Sequence, residues 1–211
     1  MTAQSADRVP SRSERSQDAG RSVSKDWLRA LKLSASIERD PSRTLGVAFD
    51  EIAQMRGDAP AILFDGGGFS FRELSQRSRR YARWAQARGL RKGDAVALVM
   101  ESRPDYVAIW LGLTRIGVVV ALINHNLAGP ALAHCIKIAS PRLILASIAT
   151  HAKCVVAGED VELVRCDDAL ESALAAQSGA PLDLDEFARP TLSDAALYIY
   201  TSGTTGLPKA A

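Results

Sequence analysis

Residues 95–123 read AVALVMESRPDYVAIWLGLTRIGVVVALI, and their pattern decides the fold class. Ala95–Met100 is an unbroken apolar run of strand length. Ser102-Arg103-Pro104 follows, with a proline placed near the first position of a helix, where its missing N–H costs nothing. That helix is predicted to run to Gly117, and Val118–Ile123 is a second unbroken apolar strand. Strands apolar along their whole length are buried on both faces, the mark of a parallel sheet whose strands are joined by crossover helices. Tyr106–Asn124 is also long enough to raise a membrane span. Arg115 and Gly117 near its middle make that costly, so a buried helix followed by a buried strand is the better account.

The alternation extends downstream. Gly129–Ala139 reads as a helix halted at Ser140-Pro141, and Arg142–Ser147 as a third strand. A further helix or strand pair falls around Val161–Arg165 and Asp168–Ala176. Residues 177–194 are a polar, proline-containing connection to an apolar strand at Ala195–Tyr200. Together these predict an α/β fold, a mostly parallel sheet with helices on both faces and right-handed crossovers.

Upstream, Ala61–Phe64, the turn Asp65-Gly66-Gly67-Gly68 and Phe69–Phe71 suggest a hairpin. Ser70 and Glu73 have capping-box spacing for a helix carrying Phe71, Leu74, Tyr81, Ala82 and Ala85 on one face, closed by Gly89. Its arginines (Arg72, Arg77, Arg79, Arg80, Arg83 and Arg88) could form a phosphate patch, but a solvated helix face is the simpler reading. Two short helices are expected before it. One carries Trp27, Leu28, Leu31 and Ala35; the other carries Leu45, Ala48, Phe49, Ile52 and Met55 behind a Thr44 cap.

The composition of the 211 residues, 47% hydrophobic and 24% charged, is that of an ordinary globular protein. The formal charge of +2 resides entirely in residues 1–25. There Arg8, Arg12, Arg15, Arg21 and Lys25 face Asp7, Glu14 and Asp18. So small an excess argues against a nucleic-acid partner. The expected organisation is a disordered polar tail over 1–25, a helical lead-in over 26–41 and the domain proper over 42–211. Cys135, Cys154 and Cys166, like His125, His134 and His151, are scattered without metal-ligand or disulfide spacing, which favours structural roles and a reducing cytoplasm. The N-terminus has no apolar signal core. Peripheral membrane contact through the Asp26–Ile37 helix stays open beside simple packing on the domain, and the oligomeric state is not legible.

The final segment reads YIYTSGTTGLPKAA from Tyr198 to Ala211. Thr201, Ser202, Thr204 and Thr205 place four hydroxyls within five positions. Gly203 and Gly206 let backbone N–H groups approach an anion, and Lys209 adds a positive charge placed by Leu207-Pro208. This is what a polyphosphate needs in order to be held while it leaves. It is not a Walker A loop, because Gly206 and Lys209 are not adjacent and Ala210 follows.

YIYTSGTTGLPKAA resembles the signature phosphate loop of the AMP-binding, adenylate-forming superfamily. DGGGFSFREL, RGLRKGDAVAL and SRPDYVAIWLGLTRIGVVVALIN resemble the N-terminal half of such enzymes, so the likeness covers about residues 42–211. INHNLAGPALAHCI resembles the fatty-acid transport protein branch, whose members are also very-long-chain acyl-CoA synthetases. The resemblance implies the N-terminal part of a large domain whose sheet is left incomplete, since family members run to more than twice this length. It implies an ATP-dependent fatty-acid–CoA ligase that forms an acyl-adenylate and then acyl-CoA, coupled in this branch to fatty-acid uptake. Another acid–CoA ligase or adenylation domain, or a non-catalytic lipid-binding product, is the alternative. Fatty acid, ATP, Mg²⁺ and coenzyme A are the implied reactants and cofactors. Thr201, Ser202, Gly203, Thr204, Thr205, Gly206 and Lys209 are the implied ligands of the β- and γ-phosphates. No residue present is implied in bond making or as a metal ligand, so the chain alone is expected to be inactive.

Overall fold

The computed structural model describes residues 23–183, 185–202 and 208–211. It divides into two compact units, Met1–Asp40 and Pro41–Ala211. The described part of the first is one helix, α1 (Val23–Arg39), with Asp26 in its first turn and Arg39 in its last, as the helix dipole favours. Its start at Val23 precedes the expected Asp26, and residues 1–22 of the expected polar tail lie outside the described residues.

The second unit runs α2 (Leu45–Arg56), β1 (Pro60–Ile62), β2 (Phe69–Ser70), α3 (Phe71–Ala87), β3 (Ala95–Val99), α4 (Pro104–Arg115), β4 (Val119–Leu122), α5 (Gly129–Ala139), β5 (Leu143–Ser147), α6 (Ile148–Ala157), β6 (Glu162–Cys166), α7 (Asp168–Ala175), β7 (Leu197–Ser202) and β8 (Pro208–Ala210). β1 and β2 form the expected antiparallel hairpin. The main sheet has the order β6-β5-β3-β4-β7-β8. Its first five strands are parallel, and β8 alone runs antiparallel, against β7.

Alternation along the central strands supplies a core on each face. Val96, Leu98, Leu143, Leu145 and Val120 face a core closed by Leu74 and Tyr81 of α3 and Ile109 and Leu113 of α4. Ala97, Val99, Ile144, Ala146 and Ala121 face the other, closed by Leu132, Cys135 and Ile136 of α5 and Cys154 of α6. Steps from β3 to β4 and from β6 to β7 cross the first face; those from β4 to β5 and from β5 to β6 cross the second and move the opposite way. Changing face with direction keeps every crossover in one hand. The expected α/β fold with helices on both faces is present.

Two local expectations change. Ile148–Ala157 is a helix that sequence periodicity does not announce; the Ser147 hydroxyl caps it by accepting from the Thr150 N–H at 3.2 Å. The arginines of α3 are a solvated face only in part: Arg72 and Arg88 stay exposed, whereas Arg77, Arg79 and Arg83 are largely covered, and five of the six reach carboxylates. Arg72 meets Asp58, Arg77 meets Asp105 and Glu171, Arg79 meets Asp50, Arg83 meets Glu186 and Arg88 meets Glu162. Arg83 also donates to the carbonyls of Ser178, Ala180 and Pro181 at 2.8–2.9 Å. It thereby straps the connection that leads to β7. The capping box at Ser70 and Glu73 forms as read.

Arg115, the residue that argues against a membrane span, is buried in an ion cluster. Its guanidinium makes two bonds to Asp50, at 2.7 and 2.9 Å, and donates to the Ser78 hydroxyl and the Gly46 carbonyl. Asp50 also accepts from Arg79 at 2.9 Å and from the Ser75 hydroxyl at 2.6 Å. Burial raises the Asp50 pKa, but the hydrogen bonds and charges of Arg115, Ser75 and Arg79 outweigh it and hold the carboxyl below the usual range. Burial lowers the Arg115 pKa despite Asp50, yet a guanidinium stays protonated, so the pair is ionic. Gly46 and Gly112 permit the close packing. A Cβ on Gly46 would stand 2.8 Å from Arg115 Cγ, and one on Gly112 would stand 2.3 Å from the Ser78 carbonyl.

Two outcomes follow for stability. Asp50→Asn leaves two buried cations without their anion and should cost about 3–5 kcal/mol in urea unfolding. Because the folded Asp50 pKa lies below its unfolded value, its contribution is full above about pH 4 and disappears as pH falls through the folded value. Unfolding midpoints measured from pH 2 to 7 should therefore show an acid-limb component that Asp50→Asn removes. Arg83→Ala should free the 178–187 connection, read as amide exchange there accelerating roughly tenfold while exchange in β3 is unchanged.

Candidate functional site

β3 and β4 are neighbours whose outgoing chains leave toward opposite faces, β3 into α4 and β4 into α5. The carboxyl ends of two such strands open a crevice, the usual ligand position of an open α/β sheet. A cavity of about 310 Å³ lies there, bordered by Met100 and Ser102 after β3, Tyr106 of α4, Asn124 and His125 after β4, and Tyr200 of β7. Beside it, burial raises the Glu101 pKa, but its own backbone N–H, the Ser147 hydroxyl, His125 and Arg103 bring it below the ordinary value. Glu101 is therefore a carboxylate at neutral pH. The Lys153 ammonium donates to the His125 carbonyl, tying α6 to the same edge.

β7 ends at this edge at Ser202, and β8 begins beside it at Pro208. The two strands form an antiparallel ladder with Thr201 opposite Lys209 and Tyr200 opposite Ala210. Ile199 and Ala211 exchange N–H···O bonds of 3.1 and 2.9 Å. Tyr198 and Tyr200 pack into the core under α5. By the two-residue period of strands, Thr201 and its partner Lys209 project from the opposite face, and both are exposed. The structure thus brings together two of the seven residues expected to hold phosphate. Ser202 ends β7, opposite Pro208. Gly203, Thr204, Thr205 and Gly206 lie outside the described residues.

Sequence reading missed the residues that hold this hairpin. The Tyr200 hydroxyl donates to the Cys135 carbonyl at 2.8 Å, and His134 Nε2 donates to the Pro208 carbonyl at 3.1 Å. Both partners lie in one turn of α5, so His134 and Cys135 touch the hairpin although they are 65 or more positions away in sequence. The His134 tautomer follows from the network, since a carbonyl can only accept. No local signal could have disclosed these contacts. Crevice residues such as Ser102, Asn124 and His125 were readable only as positions just beyond predicted strands.

A second cavity, of about 290 Å³, lies beside Gly46, Asp50, Arg115, Leu182 and Phe187. Its charged groups are already engaged in the buried cluster, so it is a seam of the packing rather than a second reactive centre.

Residues 49–211 match the family described as AMP-binding enzyme. Long-chain fatty acid transport protein 6 of Mus musculus is 35% identical over 164 residues, which cover 71% of this chain and 26% of that protein. Long-chain fatty acid transport protein 2 of Rattus norvegicus is 33% identical over 188 residues, covering 82% and 30% respectively. The chain therefore spans less than a third of the length of these relatives. Among solved structures, VinN superposes with a TM-score of 0.69 at 26% identity, over 79% of this chain and 44% of that one. The N-terminal subdomain of Klebsiella oxytoca NpsA superposes with a TM-score of 0.65 at 26% identity, over 79% and 40%. Family match, relatives and fold agree: the chain belongs to the AMP-binding enzyme family.

Proposed function

We propose that this chain supplies the phosphate-holding part of an ATP-dependent fatty-acid–CoA ligase. The observation that carries the reading is the hairpin at the carboxyl edge of the parallel sheet, which sets Thr201 against Lys209 at the two ends of TSGTTGLPK. In the proposed reaction a fatty carboxylate attacks the α-phosphate of ATP, and pyrophosphate leaves. Coenzyme A then displaces AMP to give the thioester. Thr201 and Lys209, with Ser202 and the Gly203–Gly206 segment, would hold the β- and γ-phosphates. Their contribution is charge neutralisation and positioning of the leaving group, with no proton transfer assigned to them. Mg²⁺ would arrive with the triphosphate and offset part of its negative charge. The donor set suits that division, since hydroxyls, amide N–H groups and an ammonium address phosphate oxygens.

The fatty-acid assignment rests on the named relatives, both long-chain fatty acid transport proteins. A different acid is the second reading, because NpsA has been captured with 3-hydroxybenzoyl-AMSN and VinN with 3-methylaspartate. Peripheral association with a membrane is compatible with a fatty substrate; among the described residues no helix is long and apolar enough to cross one.

Acid-dependent exchange of pyrophosphate into ATP is the direct test on the intact natural polypeptide that contains these residues. A panel of fatty, aryl and amino acids should give exchange with long-chain fatty acids; exchange only with aryl or amino acids would replace the fatty-acid assignment. The 211 residues alone should give none. Lys209→Ala should lower kcat/KM for ATP roughly 10- to 100-fold, the loss of one charge-assisted phosphate contact. Unchanged kinetics would remove Lys209 from the site.

A further inference from the structure

The ladder of the β7–β8 hairpin leaves the Pro208 carbonyl without a partner on β7. Ile199 and Ala211 exchange both backbone bonds. In an antiparallel pair such positions alternate with non-bonded ones, so Thr201–Lys209 is the next bonded pair and Ser202–Pro208 is not. Pro208 therefore costs the ladder nothing by lacking an N–H. At a non-bonded position, however, its carbonyl points away from β7 to the outer edge of the sheet, where an unpaired acceptor is costly when shielded from water. His134 Nε2 takes that carbonyl at 3.1 Å. On the other strand the Tyr200 hydroxyl, its ring packed against the core, takes the Cys135 carbonyl at 2.8 Å. A helix carbonyl has a second lone pair for this bond. Burial raises the Tyr200 pKa, so the phenol stays a donor.

We infer that His134 and Tyr200 are positioning residues for the phosphate site, fixing Lys209 and Thr201 by pinning the residues next to them, Pro208 and Tyr200, to one turn of α5. The placement of α5 is in turn set by Leu132, Cys135 and Ile136, each buried at 3% exposure or less. The clamp acts on the face opposite the ligand-facing side chains. It transmits the level of α5 to Lys209 without either clamp residue meeting phosphate. His134 is half-buried and makes no other described hydrogen bond, so its role is this single tether. The inference rests on reading the hairpin as the phosphate holder.

Direct titration of ATP–Mg²⁺ into the intact natural polypeptide tests it, with thermal unfolding measured in parallel. His134→Ala should weaken ATP binding roughly 5- to 10-fold, the consequence of losing one anchoring hydrogen bond. His134→Gln keeps an N–H donor at similar reach and should restore affinity to within about twofold of the natural protein. Tyr200→Phe keeps the ring and its packing while deleting the donor, and should weaken ATP severalfold with little change in Tm. Loss of Tm with unchanged ATP affinity in both His134→Ala and Tyr200→Phe would overturn the inference, leaving a purely structural contact. So would failure of His134→Gln to recover affinity that His134→Ala had lost. Lys209→Ala separates the two levels. If it weakens ATP while the clamp variants do not, only the positioning role fails. If it too leaves affinity unchanged, the phosphate reading fails and the clamp falls with it.

Discussion

Asp50 is the anion on which three helices converge. It belongs to α2, yet it draws Arg79 and Ser75 of α3 and Arg115 of α4 into one cluster. Two guanidiniums would not tolerate this burial without a counter-charge, and a lone carboxylate would not tolerate it either. The glycines at 46 and 112 let the helices close to the distance the bonds require. Since α4 leads directly into β4, fixing the end of α4 at Arg115 fixes where β4 enters the sheet. β4 is the strand on which β7 is laid, through Val120–Leu197 and Ala121–Tyr198. The electrostatic knot thus helps to place β4, the strand on which β7 and its Ser/Thr/Gly end are laid.

The same layout explains why chemistry gathers where it does. Parallel strands send their side-chain-rich exits to one edge, and the change of crossover face between β3 and β4 parts the loops there. The crevice that results contains His125, Asn124, Ser102 and Tyr106, with the Glu101 carboxylate beside it. None of them needs a special conformation to reach it; each lies within seven residues of a strand's carboxyl end. β7 reaches that edge only after residues 177–194 have crossed back over α3. Arg83 holds the crossing by collecting the carbonyls of Ser178, Ala180 and Pro181 together with Glu186, a task that a lysine, with one nitrogen, would not perform.

Much of this was legible in the chain itself, and the reasons differ by element. The central strands were readable because burial on both faces demands continuous apolar runs, and few other structures tolerate Ala95–Val99 or Leu143–Ala146. α3 was readable from its capping box and α5 from the Ser140-Pro141 stop that closes Gly129–Ala139. α6 was not, because Ile148, Thr150, Val155 and Val156 are β-branched and weaken the helical signature, and its cap residue, Ser147, also ends a strand. Arg77, Arg79 and Arg83 of α3 were misread for a different reason: amphipathic periodicity reports which side of a helix is charged, but not whether carboxylates elsewhere will cover it. The Ser/Thr/Gly segment was legible as a composition, with hydroxyls, glycines and a lysine at close spacing. Its support on α5 was not, since hydrogen bonds across 65 and 74 positions leave no trace in local pattern.

The hairpin also constrains how such a segment can hold an anion. In loops that lead from a strand into a helix, the helix N-terminus supplies aligned N–H groups and the positive end of a dipole. Here the chain emerges as β8, and a strand paired antiparallel has almost no net dipole to offer. In the phosphate role proposed above, positive character would come from Lys209 and directed donors from the threonine and serine hydroxyls. A composition dense in hydroxyls fits that role. It also raises the demand on placement: a dipole acts over a whole helix turn, whereas an ammonium and a hydroxyl act only where they are put. A lysine on the edge strand of a sheet would be free to drift with that strand. A tether one residue away, from a helix packed into the core, is the physical means of keeping it in place.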